Sequence, residues 1–359
     1  MTYRELSLTA QTAYAQLLDA ALAAEHLRSV ADLPGSFAAK TVKGRKYWYF
    51  QYTEPSGKLR QVFVGPDGEP VQRLMARKTE RSAAAALEPL ARSALALGCT
   101  GVLPRQFRVI RRLADYGFFA AGGVLIGTHA FLSYGNMFGV RWDAEDRTQD
   151  IDFAHAGKSV ALVLPSDIEV NTGAAIDSLD MGFLPVSGLG SRTGATYLNP
   201  REPEFRLDFL TTLHSGGDEP FEHPQLRISL QPLPFMEFSL EAVEQAVIFC
   251  PEGAVLVNVP HAARYALHKL LVYGERAGAF AAKSRKDLAQ TASLLAYLRE
   301  HRRADVDAAW RDLLTRGRGW VARARQGIQA LDKAYPELEI PNWLRFPKAA
   351  KGTAASPRR

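Results

Sequence analysis

Apolar positions recur with helical spacing from about Glu5 to Val30, in an alanine- and leucine-rich stretch that ends before Leu33-Pro34-Gly35. This predicts one amphipathic helix. The texture then changes. Val42–Tyr52 (VKGRKYWYFQY) and Leu59–Val64 (LRQVFV) are aromatic and β-branched and flank Pro55-Ser56-Gly57, which predicts a β-hairpin. Helical spacing returns over Val71–Leu97, so the first hundred residues read as helix, hairpin, helix. Beyond Gly98-Cys99-Thr100-Gly101, Arg105–Tyr116 is a basic amphipathic helix and Phe118–Ile126 a buried strand. A short helix capped by Thr128 runs to Tyr134. Strands follow at Gln149–Ala154, Ala195–Leu198 and Glu204–Thr211, with a helix at Gly173–Asp180 between the first two. From Pro260 the pattern is helical, over His261–Glu275, Ser284–Arg299 and Ala304–Ala334. The expected organisation is an N-terminal region (1–100), an α/β core (101–259), a helical domain (260–346) and a disordered basic tail (347–359).

Composition narrows the class. Of 359 residues, 47% are apolar and 23% charged, as in a folded globular chain. No apolar run approaches the ~20 residues that cross a bilayer, so no membrane partner is expected. The polar, acid-bearing start MTYRELSLTA does not read as a secretory signal. Cys99 and Cys250 stand far apart without CxxC spacing. That excludes a disulfide framework and a cysteine-based zinc site, and it fits a cytoplasmic location. The net charge of +6 suits a polyanionic partner.

Two motifs fail on inspection. Gly157-Lys158-Ser159 follows a strand, but Asp152 stands where a P-loop needs its first glycine. Gly188-Leu189-Gly190, with Gly194 beyond, leads into a strand where a dinucleotide fingerprint requires a helix. The histidines form no HxxxH or HExxH pair, and there is no GxSxG elbow.

The informative segment is Asp150-Ile151-Asp152-Phe153. Residues two apart on a strand share a face, so both aspartates project together while Ile151 and Phe153 turn to the core. Two such carboxylates repel unless a cation lies between them, and Mg²⁺ is the hard ion that takes carboxylate and phosphate oxygens together. Asp208, in Phe205-Arg206-Leu207-Asp208-Phe209, occupies the polar face of a second strand that could pair beside Asp152. It either completes a carboxylate set for two metal ions about 3.5–4 Å apart, suited to in-line phosphoryl chemistry, or it pairs with Arg206 or another surface base.

Gly127-Thr128 opening a helix, then Arg147-Thr148-Gln149-Asp150-Ile151-Asp152-Phe153, then an isolated Asp208 on a later strand, resembles the polymerase β-type nucleotidyltransferase fold. Downstream, Pro260, His268-Lys269-Leu270, Arg276 and Lys286-Asp287-Leu288 resemble the minimal branch that contains the AbiEii-type toxins. The resemblance spans roughly Tyr116–Leu298. It implies an α+β fold with an α/β core, in which a mixed sheet is flanked by helices. A C-terminal helical bundle follows, and the N-terminal helix–β-hairpin–helix is an appendage outside the shared part. It also implies Mg²⁺-dependent transfer of a nucleotide from an NTP, ATP among them, to an acceptor hydroxyl such as a tRNA 3′ end, with an antitoxin-like protein as a further partner. By the same resemblance, Asp150, Asp152 and Asp208 hold two Mg²⁺ or Mn²⁺ ions, and Gly127 and Thr128 hold phosphates. Lys269 and Arg276 offset triphosphate charge, and Asp287 orients Lys269. A protein or small-molecule acceptor, or a non-catalytic binding module on the same fold, are the alternatives. The interval of 22 residues between Thr128 and Asp150 is longer than usual for the fold and leaves room for a lid or a longer crossover.

Between Lys40 and Arg60, six basic residues face one acid, Glu54, and aromatics interleave with them. Lys43, Arg45, Lys46 and Trp48 are the candidate contacts for single-stranded or looped RNA, with cations for phosphates and a ring for stacking. The competing reading packs these aromatics on the flanking helices.

Overall fold

Ser7 sets the start of the first helix. Its Oγ accepts from Ala10 N at 3.2 Å, an N-cap contact that leaves the residues before it free to pair as a strand. The computed structural model describes residues 2–26, 35–53, 59–79, 83–143, 148–156, 170–187, 193–213, 217–275 and 281–346. Strand β1 (Tyr3–Glu5) precedes helix α1 (Leu8–His26), where helical spacing alone predicts a helix from Glu5. Three strands follow: β2 (Gly35–Val42), β3 (Arg45–Thr53) and β4 (Leu59–Pro66), an antiparallel sheet in that order. The strand expected to run unbroken through Val42–Tyr52 is cut at Lys43 (φ +50°) and Gly44 (φ +74°). Two left-handed central residues make the tight turn that matches strand twist, so Val42 faces Arg45. Lys58 and Pro55-Ser56-Gly57 lie outside the described residues.

Helices α2 (Glu69–Thr79) and α3 (Ala83–Ala96) come next. Helices α1 and α3 share one apolar core with two strands from far along the chain: Ala10, Tyr14, Leu17, Leu87 and Ala91 pack with Val247, Phe249 and Ala254. Packing therefore does not break near residue 100.

Helix α4 (Pro104–Asp115) buries Phe107, Ile110 and Leu113. The strand expected over Phe118–Ile126 shrinks to β5 (Gly123–Leu125) because the chain doubles back first. Gly117 and Gly122 take φ of +84° and +86°, and Gly123 N donates to Phe118 O at 2.9 Å. Helix α5 (Gly127–Phe138) has Ile126 as N-cap without a side-chain cap; Thr128 sits in the first turn rather than capping it. Gly139 ends the helix in the left-handed region. Strand β6 (Val140–Trp142) then pairs antiparallel with β1. Tyr134 and Trp142 are buried and hydrogen-bonded to Pro260 O and Phe131 O, so this part of the long interval is a packed crossover.

The remaining elements of the first unit are β7 (Ile151–His155), α6 (Thr172–Asp177), β8 (Leu184–Ser187), β9 (Thr193–Asn199), β10 (Glu202–Thr212), β11 (Phe221–His223), β12 (Ile228–Leu233), α7 (Met236–Leu240), β13 (Val243–Cys250) and β14 (Gly253–Pro260). The central sheet runs β11-β12-β10-β7-β5, with β9 also on β10 and β8 beyond it. It is mixed: β10 is parallel to both β7 and β12 and antiparallel to β9. The α+β fold with a mixed central sheet and flanking helices is present.

Helix α8 (Ala262–Glu275) crosses from the first unit, Met1–Tyr265, into the second, Ala266–Arg359. The second unit continues with α9 (Ala281–His301), α10 (Arg303–Thr315), α11 (Arg318–Ala334) and the short α12 (Ile340–Trp343). The single helix expected over Ala304–Ala334 breaks at Gly317, whose φ of +111° a helix does not accommodate. A Cβ at Gly327 would collide with Leu270 O, so the glycine permits close packing of α11 on α8. The tail 347–359 lies outside the described residues.

Candidate active site

Strands β7 and β10 alternate as their sequences require. Ile151, Phe153, Phe205, Leu207 and Phe209 are fully or almost fully buried on one face, where Phe153 and Phe209 stack with centroids 5.1 Å apart. Asp150, Asp152, Arg206 and Asp208 therefore share the other face. The parallel register places Asp208 directly opposite Asp152. Immediately beyond them the same face turns apolar, with Ala154 and Leu210 in a cluster with Ile126, Met236 and Leu240. The carboxylates thus sit at the edge of a dry floor, where charge interactions are screened less than in open water.

The turn from β5 into α5 brings Gly127 against this pair. Leu125 pairs with Phe153, and Ile126 N donates to Asp152 O at 2.9 Å. Gly127 has φ +64°, and a Cβ there would collide with Asp152 Oδ2. Only glycine meets both conditions. Its carbonyl accepts from the Tyr265 hydroxyl at 2.8 Å. Thr128, next in the first turn of α5, is buried.

Asp208 Oδ1 accepts from Thr196 Oγ1 at 2.6 Å, across the antiparallel pairing of β9 and β10. Its Oδ2 lies 3.2 Å from Arg206 Nε, and Arg206 Nη2 lies 3.7 Å from Asp150 Oδ2. Both of the readings left open for Asp208 bear on this face: it is ion-paired with Arg206, and it lies beside Asp152. Asp150 and Asp208 are 21% and 17% exposed, whereas Arg206 is 41% exposed. Among the described residues the buried Arg206 Nε makes no hydrogen bond, so the pairing is loose at that atom. One guanidinium serves two carboxylates.

The donor chemistry suits a hard divalent cation, with three carboxylates from adjacent strands on one face. Among the described residues, however, no three His, Cys, Asp or Glu side chains converge as a ready-made cage. Asp150 and Asp208 each turn an oxygen toward the half-exposed Arg206.

Lys269 Nζ donates to Asp287 Oδ1 at 2.5 Å within the second unit, with side chains 15% and 4% exposed. Arg147 and Arg276 lie outside the described residues, as do Gly157-Lys158-Ser159 and Gly188-Leu189-Gly190. In the N-terminal sheet, Lys43 occupies the turn and Arg45 the outer face, while Trp48 donates its indole N–H to Asp67 Oδ1 at 2.9 Å with Lys46 over its ring at 4.5 Å. A cavity of about 380 Å³ is lined by Gln106, His129, Arg141 and Thr148 among others, and the three carboxylates are not in its wall. The carboxylate face is taken as the site on its geometry. Thr196 and Tyr265 are not legible as site residues, because their roles depend on strand register and on a contact 138 residues apart, whereas Arg206 is the base already read beside Asp208.

Residues 105–315, more than half of the chain, match a family described as Nucleotidyltransferase. The chain belongs to the nucleotidyltransferase family, and its activity is nucleotidyl transfer. Among solved structures it is similar to an antigenic nucleotidyltransferase-like protein from Paracoccidioides brasiliensis, with 12% identity and a TM-score of 0.33, covering 68% of this chain and 94% of that one. No curated protein matches. Among the described residues no helix is long and apolar enough to cross a membrane.

Proposed function

We propose that this chain moves a nucleotidyl group from a nucleoside triphosphate to an acceptor hydroxyl at the face shared by Asp150, Asp152 and Asp208, in a reaction that requires Mg²⁺, and that the acceptor is an RNA 3′ end. The observation that carries this reading is the pairing of Asp208 opposite Asp152, with Asp150 on the same face and Gly127 pressed against Asp152. Asp150, Asp152 and Asp208 would hold two Mg²⁺ ions, with Mn²⁺ as a substitute. When bound, such ions lower the pKa of a hydroxyl and stabilise phosphate charge as it develops. The acceptor hydroxyl gives up its proton to water, its oxygen bonds the α-phosphorus, the bond from that phosphorus to the α,β-bridging oxygen breaks, and pyrophosphate leaves with the electron pair.

The protein's own part is placement. Thr196 fixes Asp208 through Oδ1, and Tyr265 fixes Gly127 through its carbonyl. The Gly127-Thr128 turn offers the free amide N–H groups of a helix start, which suit phosphate oxygens. The series Pro260, Lys269-Leu270 and Lys286-Asp287-Leu288 supports a place near the AbiEii-type branch, with an antitoxin-like protein partner. Incubating the purified chain with each α-labelled NTP, Mg²⁺ or Mn²⁺ and total RNA tests the reading. Label is expected on RNA with the wild type and on none with Asp150→Asn or Asp152→Asn. Full transfer by either variant overturns the assignment.

A further inference from the structure

The run of aromatics in β3 splits between two faces, and the two halves do different things. Phe50 and Tyr52 are buried, with Phe37, Val62 and Val64 packed on them. These are the inward residues of the sheet. The alternate set, Tyr47, Tyr49 and Gln51, points outward. Register places Phe63 beside Tyr49, Gln61 beside Gln51 and Lys40 beside Tyr47.

The outward rings form a cluster: Phe63 lies 5.4 Å from Tyr49 and 6.1 Å from Tyr47, centroid to centroid. Phe63 is 55% exposed, which is unusual for so large an apolar ring unless something covers it. Around the rings stand polar groups already ordered. Lys40 Nζ sits 4.7 Å above the Tyr49 ring and donates to Gln61 Oε1 at 2.5 Å; Gln61 Nε2 donates to Gln51 Oε1 at 3.0 Å. The three strands and their first turn carry Lys40, Lys43, Arg45, Lys46 and Arg60 and no acid.

We infer that the outer face of this sheet binds single-stranded RNA, with bases stacking on Phe63, Tyr49 and Tyr47 and phosphates met by Lys40 and Arg45. Charge selects the partner: Lys40 and Arg45 stand on the outer face, the three strands and their first turn hold no acid, and exposed rings in the middle are useless to a duplex whose bases are already stacked. The ring first expected to stack, Trp48, is committed to Asp67 on the other face. The sheet also precedes the family-matched residues 105–315, so this surface belongs to the chain's own N-terminal addition. The inference deepens the proposed function by giving the acceptor a place to bind, and it stands or falls on binding rather than on transfer.

The test is fluorescence anisotropy of a labelled twelve-nucleotide single-stranded RNA with the full chain, in EDTA and without NTP. The variant Tyr49→Ala/Phe63→Ala should bind about 10–100-fold more weakly with an unchanged salt slope, since each base–ring stack is worth roughly tenfold. The variant Lys40→Gln/Arg45→Gln should also weaken binding and flatten the slope of log K against log salt by about 1.4, at ~0.7 per phosphate contact. Trp48→Phe should leave binding unchanged, and duplex RNA of the same sequence should bind less well than the single strand. Unaltered RNA affinity in both multiple variants, at wild-type thermal midpoint, overturns the inference. So does sedimentation showing that the face joins two copies of the chain and that RNA does not compete. If the aromatic variant fails to fold, the exposed charge variant decides alone. Asp152→Asn should bind RNA as the wild type does while losing transfer, which separates failure here from failure of the proposed chemistry.

Discussion

Two groups of acids in this chain have met a base, and they differ in access. Lys269 and Asp287 form an ion pair inside the second unit, with the carboxylate 4% exposed. On the central sheet, Asp150 and Asp208 share Arg206 beside Asp152, and the two are about one-fifth exposed. A buried pair is costly to break: removing either partner strands a charge where water cannot reach it. A partly exposed group of acids can exchange its partner cation with solvent at far lower cost.

The comparison can be broken in several ways, beginning with the largest effect. Asp152→Asn should lower transfer more than about 100-fold, because even an outer partner of a metal ligand is worth ~10–100-fold. Its thermal midpoint should not fall, since one repulsive charge is gone. A variant that unfolds instead would make the cluster structural. Lys269→Met should cost about 3–5 kcal/mol of stability by leaving the buried Asp287 carboxylate without its lysine. Lys269→Met/Asp287→Leu should recover most of that loss in denaturant titrations, and a harmless single variant would show that the pair is not costly to break.

A smaller effect sharpens the contrast. Arg206→Met removes the resident cation from Asp150 and Asp208, two partly exposed pairs each worth up to ~1 kcal/mol. Mn²⁺ binding without nucleotide, followed by electron paramagnetic resonance, should therefore tighten by about 3–10-fold. Weaker binding would mean that the arginine assembles the site rather than competing for it. The smallest effect lies on the buried side of the same sheet, where His155 and His223 meet at 4.6 Å. Burial, then the neighbouring His155, holds His223 down to about 4 from its ordinary 6.5. The unfolded chain therefore takes up the proton first. Stability is whole above pH 6.5 and declines as pH falls from there toward 4. His223→Phe should flatten that part of the stability curve, and an unchanged slope would assign it to the carboxylates.

Much of the site was legible because strand alternation is a strict rule. Ile151 and Phe153, then Phe205, Leu207 and Phe209, leave the aspartates no face but the polar one. The pairing of the two strands needed only that both be parallel neighbours in the sheet. What escaped was set by contacts remote in sequence or by single φ values. Lys43-Gly44 hides a turn inside a run of strand formers. Ala246–Cys250 is buried throughout and so carries no alternation, which left β13 and β14 unread. The competition of Arg206 for two carboxylates is a rotamer question, invisible to spacing. The bond from Trp48 to Asp67 spans nineteen residues and a sheet edge, beyond what strand spacing shows.

The shared core of α1, α3 and the β13–β14 hairpin governs how the chain can be divided. Val247, Phe249 and Ala254 are covered by helices that end before residue 97, and Tyr14 Oη accepts from Val247 N at 3.4 Å. A fragment cut at residue 105 would carry every matched family position and expose a sticky β-ribbon stripped of its lining. Such a fragment should clump when produced alone and regain solubility when residues 1–100 are supplied as a separate polypeptide. Homology would mark the cut; adhesion would forbid it.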